Sequence, residues 1–188
     1  MGDPRKFRVA YSRPQHPWKK DRIEAERKIV KAYGLKNKRE VWQMSSVLRN
    51  IRDQAKNLIV ASGSQAEHER GLLVNRLVSL GLVKSDAKLD DVLSLTLQSI
   101  LERRLQTILV RKGLAKTMNQ ARQFITHTHI LVNNKTVTRP SYLVHSGEEQ
   151  MVAFQIQSSL SSSDHPVRVV LKSNNTINAV KESKRETV

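Results

Sequence analysis

The run Thr117-Met118-Asn119-Gln120-Ala121-Arg122-Gln123-Phe124-Ile125-Thr126-His127-Thr128-His129-Ile130-Leu131-Val132-Asn133-Asn134-Lys135-Thr136-Val137 holds two structural periods in succession, and the change between them decides the fold. Thr117 and Gln120 stand three residues apart as a capping-box pair, each able to satisfy an unpaired N–H at a helix start. Ala121, Phe124 and Ile125 follow at helical spacing and predict one apolar face of a short helix. Ile130-Leu131-Val132 and Lys135-Thr136-Val137 are β-prone, and Asn133-Asn134 between them suits a tight hairpin turn, because Asn tolerates positive φ better than most residues. A helix followed at once by a hairpin predicts an α+β unit.

Working upstream, Leu97, Leu101, Leu105, Ile108 and Leu109 predict one helix ending at Gly113. Downstream, Tyr142-Leu143-Val144 and residues 151–156 supply further short strands, with Ser146-Gly147 between them. Nearer the N-terminus, a helix is expected over 20–33 with Ile23, Ile29 and Val30 inward and Gly34 at its end. Asn37 and Glu40 cap a second helix carrying Val41, Met44, Val47, Leu48, Ile51, Ala55, Leu58 and Ile59, closed by Gly63. Ser64 and Glu67 open a third, with Leu72, Leu73, Leu77 and Leu80 inward, stopped at Gly81. The predicted fold class is α+β, a mostly helical N-terminal region plus a small helix–helix–sheet domain. Its expected organisation is a basic extended arm over 1–19, a helical region over 20–96, the α+β domain over 97–157, and a flexible Ser-rich linker and basic tail over 158–188. In that tail Val167, Val169, Val170 and Leu171 could form one strand or pack back on the core.

Lys and Arg total 33 against 17 Asp and Glu, a formal net charge of +16. Such an excess repels itself in a compact chain and makes sense when a polyanion neutralises it, nucleic acid before an anionic membrane or acidic proteins. No run of about 18 apolar residues exists to span a bilayer, and the first residues lack the apolar stretch of a secretory signal. There is no cysteine, which excludes disulfides, thiolate zinc sites and Cys nucleophiles together. A cytosolic protein without metal or other cofactor is expected.

The charge has a pattern. Between residues 101 and 140 lie Arg103, Arg104, Arg111, Lys112, Lys116, Arg122, Lys135 and Arg139, with Glu102 the only acid. Since the apolar positions face inward, these cations are predicted to point outward, Lys116 and Arg122 among them. Thr117, Asn119 and Gln120 occupy a helix's first turn, where free N–H groups attract phosphate, and Arg122 and Gln123 follow. A second basic cluster, Arg5, Lys6, Arg8, Arg13, Lys19 and Lys20, runs through the arm to the first residue of the helix that follows it. His127 and His129 lie beside the rim but lack further ligands at metal-binding spacing, so RNA contact or turn packing is expected there. Trp42 sits in an apolar helical pattern and reads as core, whereas Trp18 could stack on a base or be buried. Asp90 and Asp91 open a helix and read as caps, and Ser162, Asp164 and His165 fall in a linker too loose to hold a catalytic triad.

Arg104-Leu105, Leu109, Arg111, Gly113, Ala115, Thr117, Ala121-Arg122, Ile125, His129, Val132-Asn133 and Pro140 together resemble the RNA-binding domain named after small-subunit ribosomal protein four. Gln106 stands where that pattern has Asp, Met118 where it has Arg, and Thr128 and Asn134 where it has Gly. Met118 removes one expected phosphate contact, and Thr128 suggests a looser turn. Gly2-Asp3-Pro4, Pro14 with His16-Pro17-Trp18, residues 89–93 and residues 101–107 are similar to the archaeal and eukaryotic branch of that ribosomal protein family. The resemblance implies a non-enzymatic, cytoplasmic constituent of the small ribosomal subunit that binds its ribosomal RNA. It further implies that the chain nucleates assembly of the subunit body and affects translational accuracy through ribosomal protein five, with no membrane or small-molecule partner. The expected RNA-binding residues are those of both basic clusters together with Thr117, Asn119, Gln120, Gln123, His127 and His129. Two rivals are an RNA-modifying enzyme carrying this domain as an appendage, which needs a catalytic domain the helical region does not offer, and a ribosome-biogenesis factor of the same architecture.

Overall fold

The computed structural model describes residues 11–85, 87–162 and 165–166; Arg5, Lys6, Arg8 and the apolar residues of the tail from Val167 lie outside them. Among the described residues the elements run α1 (Lys20–Ala32), α2 (Lys38–Val60), α3 (Ser64–Ser79), α4 (Leu89–Ser94), α5 (Leu97–Glu102), α6 (Leu105–Arg111), α7 (Met118–Thr126), β1 (Ile130–Val132), β2 (Lys135–Thr136), α8 (Ser146–Glu149) and β3 (Val152–Phe154), and a 3-10 turn at Ser159–Ser161 follows. They form two compact units, the described residues up to Leu77 with Val83–Leu101, and Val78–Leu82 with the residues from Glu102 on.

In the first unit α1 ends as expected. Gly34 takes a φ of 55°, and the Leu35 N–H turns back to the Val30 carbonyl at 3.0 Å. The inward face of α1 differs from expectation. Ile23, Ile29 and Val30 are only half-buried, and the buried residue is Glu26. Its carboxylate is tolerated there because Arg22 Nη1 lies at 2.8 Å, Lys38 Nζ at 3.6 Å and Trp42 Nε1 donates at 3.0 Å. Along α2, Val41, Met44, Leu48, Ile51, Ala55 and Leu58 are buried, while Val47 is half-buried and Ile59 exposed. Gly63 does not close this helix. Ala61 ends it in an extended conformation, and Arg70 of α3 donates to the carbonyls of Leu58 and Ala61. Ser64 lies inside α3 rather than capping it, with the Glu67 N–H donating to the Gly63 carbonyl at 3.3 Å. Leu73 and Leu77 are buried, but Leu72 is exposed. Asp91 reaches back to the Lys88 N–H at 2.9 Å, the capping role expected of it.

The second unit departs from the single helix expected over 97–109. The helical run breaks after Glu102, and Arg104 is extended at φ −72° and ψ 141°. The reason is a short antiparallel seam. Leu105 N–H donates to the Tyr142 carbonyl at 2.8 Å, and Val144 N–H donates to the Arg103 carbonyl at 3.0 Å. Residues 142–144 therefore form one isolated bridge, Arg104 to Leu143, and not the strand expected of them. The three strands pair antiparallel in the order β2-β1-β3, with Leu131 opposite Thr136 on one side and Ala153 on the other. Asn133 and Asn134, at φ 50° and 60°, make the two-residue turn. Leu105, Ile108 and Leu109 of α6 pack with Ala121, Phe124 and Ile125 of α7, with Ile130, Val132 and Val152 of the sheet, and with Leu160. Leu160 makes the start of the Ser-rich segment part of the core, so through Ser162 it is not the loose linker expected. Ser158 caps that turn, its Oγ accepting from the Leu160 N–H.

Candidate nucleic-acid interface

At the start of α7 the Thr117 hydroxyl accepts from the Gln120 N–H at 3.2 Å, and Gln120 Oε1 accepts from the Lys116 N–H at 2.7 Å. Asn37 and Glu40 repeat this reciprocal arrangement in α2, with the carboxylate on the Lys36 N–H. Lys116, Thr117, Asn119 and Gln123 are exposed around that first turn, so its polar caps and one cation face solvent together. Gln120, Gln123, His127 and His129 line one groove of about 430 Å³ with Phe124 and Leu160. His127 is open to solvent. His129 is half-buried, its Nδ1 2.8 Å from Ser158 Oγ and its ring edge-on to Phe124, so turn packing holds it. Among the described residues no cluster of three His or acidic side chains could hold a metal.

Arg122 is half-buried rather than exposed, with Nη1 3.4 Å from Gln106 Oε1. Gln106 is itself buried, and its Nε2 donates to the Met118 carbonyl at 2.9 Å, tying α6 to the start of α7. Lys135 on β2 and Arg139 beyond it are exposed.

The other four cations of residues 101–140 do not all point outward. Arg104 is 1% exposed, because the extended break that pairs with Leu143 turns its side chain into the core. Arg103 bridges Glu149 Oε2 at 2.8 Å, donates to the Val144 carbonyl at 3.1 Å and lies across Gly81. Lys112 is half-buried, its ammonium donating to the Glu149 carbonyl. Arg111 is exposed but paired twice to Glu102, at 2.9 and 3.1 Å. Glu149 and the Val144 carbonyl lie beyond residue 140, so a tally of charges along 101–140 misses them, while Glu102 is the one acid that tally includes. Nearby, Tyr142 donates to Glu148 Oε2 at 2.9 Å, and burial first, then that carboxylate, pushes its phenol above the usual tyrosine value.

The end of α7 is tighter than expected. Thr128 adopts a φ of 62°, and the His129 N–H donates to the Phe124 carbonyl at 3.0 Å, the same left-handed closure that Gly34 makes. Arg13 and Lys19 of the arm and Lys20, the first residue of α1, are exposed, Lys20 lying 3.9 Å from Glu24. Trp18 is 90% exposed, so within the described residues burial is not its role, while Trp42 is half-buried against Glu26 and Tyr11.

The family model described as an S4 domain matches residues 103–149, which hold α6 and α7, the break pinned by a single bridge and the β1–β2 hairpin. The likeness extends far beyond it. Small ribosomal subunit protein uS4 of Methanococcus aeolicus is 51% identical over 169 residues, 89% of this chain and 96% of that one. Those of Ignicoccus hospitalis and Picrophilus torridus are 48% and 46% identical over 82% and 90% of this chain, and 93% and 94% of their own. The chain belongs to the uS4 family of small ribosomal subunit proteins.

Proposed function

We propose that the chain is a structural constituent of the small ribosomal subunit, and so of the cytoplasm, that binds small-subunit ribosomal RNA through the solvent face of α7 and its surroundings. One observation carries this reading. Residues 103–147 contain no Asp or Glu, so Lys116, Lys135 and Arg139 present positive charge with no acid of that span to cancel it. Phosphates fit such a surface, with the exposed polar side chains of Thr117, Asn119 and Gln123 as further donors. Arg122 contributes from the rim of the face. Arg13 and Lys19 of the arm with Lys20 at the start of α1 add a second contact region, and Arg5, Lys6 and Arg8 extend it in sequence.

The finer reading is that the chain binds early, nucleates assembly of the subunit body and supports accurate decoding by touching ribosomal protein five of the same subunit. Titration with a structured small-subunit RNA fragment at rising salt tests the RNA reading. Log affinity should fall linearly with log salt, by about 0.7 to 0.9 per phosphate neutralised; a flat response refutes the electrostatic account. Sedimentation separates a constituent from a biogenesis factor, because a constituent stays with translating ribosomes at one copy each and a biogenesis factor stays with precursors. Omitting the chain from a subunit reconstitution should block the later body proteins, and crosslinking in intact subunits should join it to protein five.

A further inference from the structure

Outside the S4 domain, Tyr11, Arg13, Asn37, Lys38, Arg39 and Trp42 line a groove of about 360 Å³ at the start of α2. Its chemistry is unlike that of the α7 face, since it combines two aromatic rings with three cations and no acid among its lining residues. The rings lie beside each other, centroids 6.2 Å apart and planes 34° from parallel.

Hydrogen bonds hold the Trp42 ring and the backbone beside Tyr11. Trp42 is locked by its Nε1 bond to the buried Glu26 carboxylate. The segment bearing Tyr11 is tied down by the Ser12 N–H donating to Ser46 Oγ at 3.1 Å and by Arg49 donating to Ser12 Oγ at 2.9 Å. Ser46 Oγ donates in turn to the Trp42 carbonyl, so one hydrogen-bond chain ties the backbone next to Tyr11 to that of Trp42. Above them the Arg39 guanidinium lies 5.9 Å from the Tyr11 ring centre. Lys38 is anchored 3.6 Å from Glu26 yet lines the groove, and Arg13 is exposed beside it.

We propose that this groove binds an unpaired nucleotide of single-stranded RNA, the base laid on the Tyr11–Trp42 pair and the flanking phosphates on Arg13, Lys38 and Arg39. A π face accepts any base, and stacking on the anchored Trp42 ring costs little side-chain ordering. Duplex RNA hides its bases and cannot use the rings. The proposal rests on the RNA-binding reading given above and adds a second site to it, with a different ligand form.

Because the chain has two tryptophans, a Trp18→Phe background leaves Trp42 as the sole indole reporter. Its emission is followed while the full chain is titrated with a short single-stranded oligoribonucleotide, an abasic oligomer of equal charge, a blunt duplex and polyglutamate. The single strand should quench Trp42 saturably and the other three should not. Tyr11→Ala should weaken the single strand by about five- to a hundredfold, and Tyr11→Phe, which keeps the ring, should restore it. Equal quenching by the abasic oligomer or duplex would reduce the groove to a charge patch and overturn the proposal. So would an unchanged affinity in Tyr11→Ala, or a response to polyglutamate alone. Structured ribosomal RNA binding that persists while Trp42 stays silent sinks only this inference; loss of structured RNA binding sinks the reading beneath it.

Discussion

The two units bury charge in opposite ways. The first buries an acid, Glu26, ringed by Arg22, Lys38 and the Trp42 indole. The second buries a base, Arg104, and pins Arg103 between Glu149 and a backbone carbonyl. A strongly basic chain therefore spends part of its positive charge on architecture, and spends it differently in each half. In the first unit the cations around the acid also reach the surface, so one network shapes the fold and the groove at α2. In the second, Arg103 and Arg104 serve the interior while Lys116, Lys135 and Arg139 stand on the surface, which leaves these three free to vary without disturbing the core.

That contrast can be broken by experiment, beginning with the largest effect. Arg104→Ala should destabilise the chain by about 3 kcal/mol in denaturant melts, because it empties a fully buried site at the helix break; an exposed-charge cost of a few tenths would show that the arginine is not structural. Glu26→Gln should cost about 2 kcal/mol, since it leaves Arg22 and Lys38 facing a neutral amide in a buried site. It should also shift the Trp42 emission, which Arg104→Ala should leave alone. Thr128→Gly should stabilise by about 1 kcal/mol in the same melts, because a β-branched residue is held at positive φ. Lys116→Ala should move stability by no more than about 0.5 kcal/mol while flattening the RNA salt slope by about 0.7 to 0.9, the signature of one lost phosphate contact. Arg122→Ala is the less clean probe, since its guanidinium also leans on Gln106.

What could be read from the sequence follows from how far apart the interacting residues are. Residues 117–137 declare a capped helix and an Asn-Asn hairpin because every determinant lies within a turn or a strand pair of its neighbour. The Asn37–Glu40 cap and the apolar stripe of α2 are legible for the same reason. The break at Arg103–Arg104 is not, because apolar spacing continues through it and the seam that forces it lies in residues 142–144. The outward placing of Arg103, Arg104 and Lys112 fails with it: Glu149 and the partner carbonyls are distant in sequence. Glu26 carried a local signal, its i, i+4 spacing from Arg22, but Lys38 and Trp42 arrive from another helix. The α2 groove needs the fold, because Tyr11 joins Trp42 only when the arm is tied to Ser46. Thr128 shows the reverse case, in which an unfavoured residue still adopts the glycine-like turn because the packing of Phe124 and His129 on either side demands it.

The seam at the start of α6 also imposes a timetable on the nascent chain. Arg103 meets Val144, 41 positions further on, so half of that seam is still inside the translation machinery when α6 and α7 have been made. The α1–α2 pair finds its partners within the first unit, Arg70 on the Leu58 carbonyl and Arg52 on the Leu95 carbonyl among them, all of them made before the seam begins. A chain stalled shortly before Val144 should already shield α1 and α2 from protease while Leu105 and its neighbours stay cleavable, and resistance at α6 should then appear in a single step as α8 emerges.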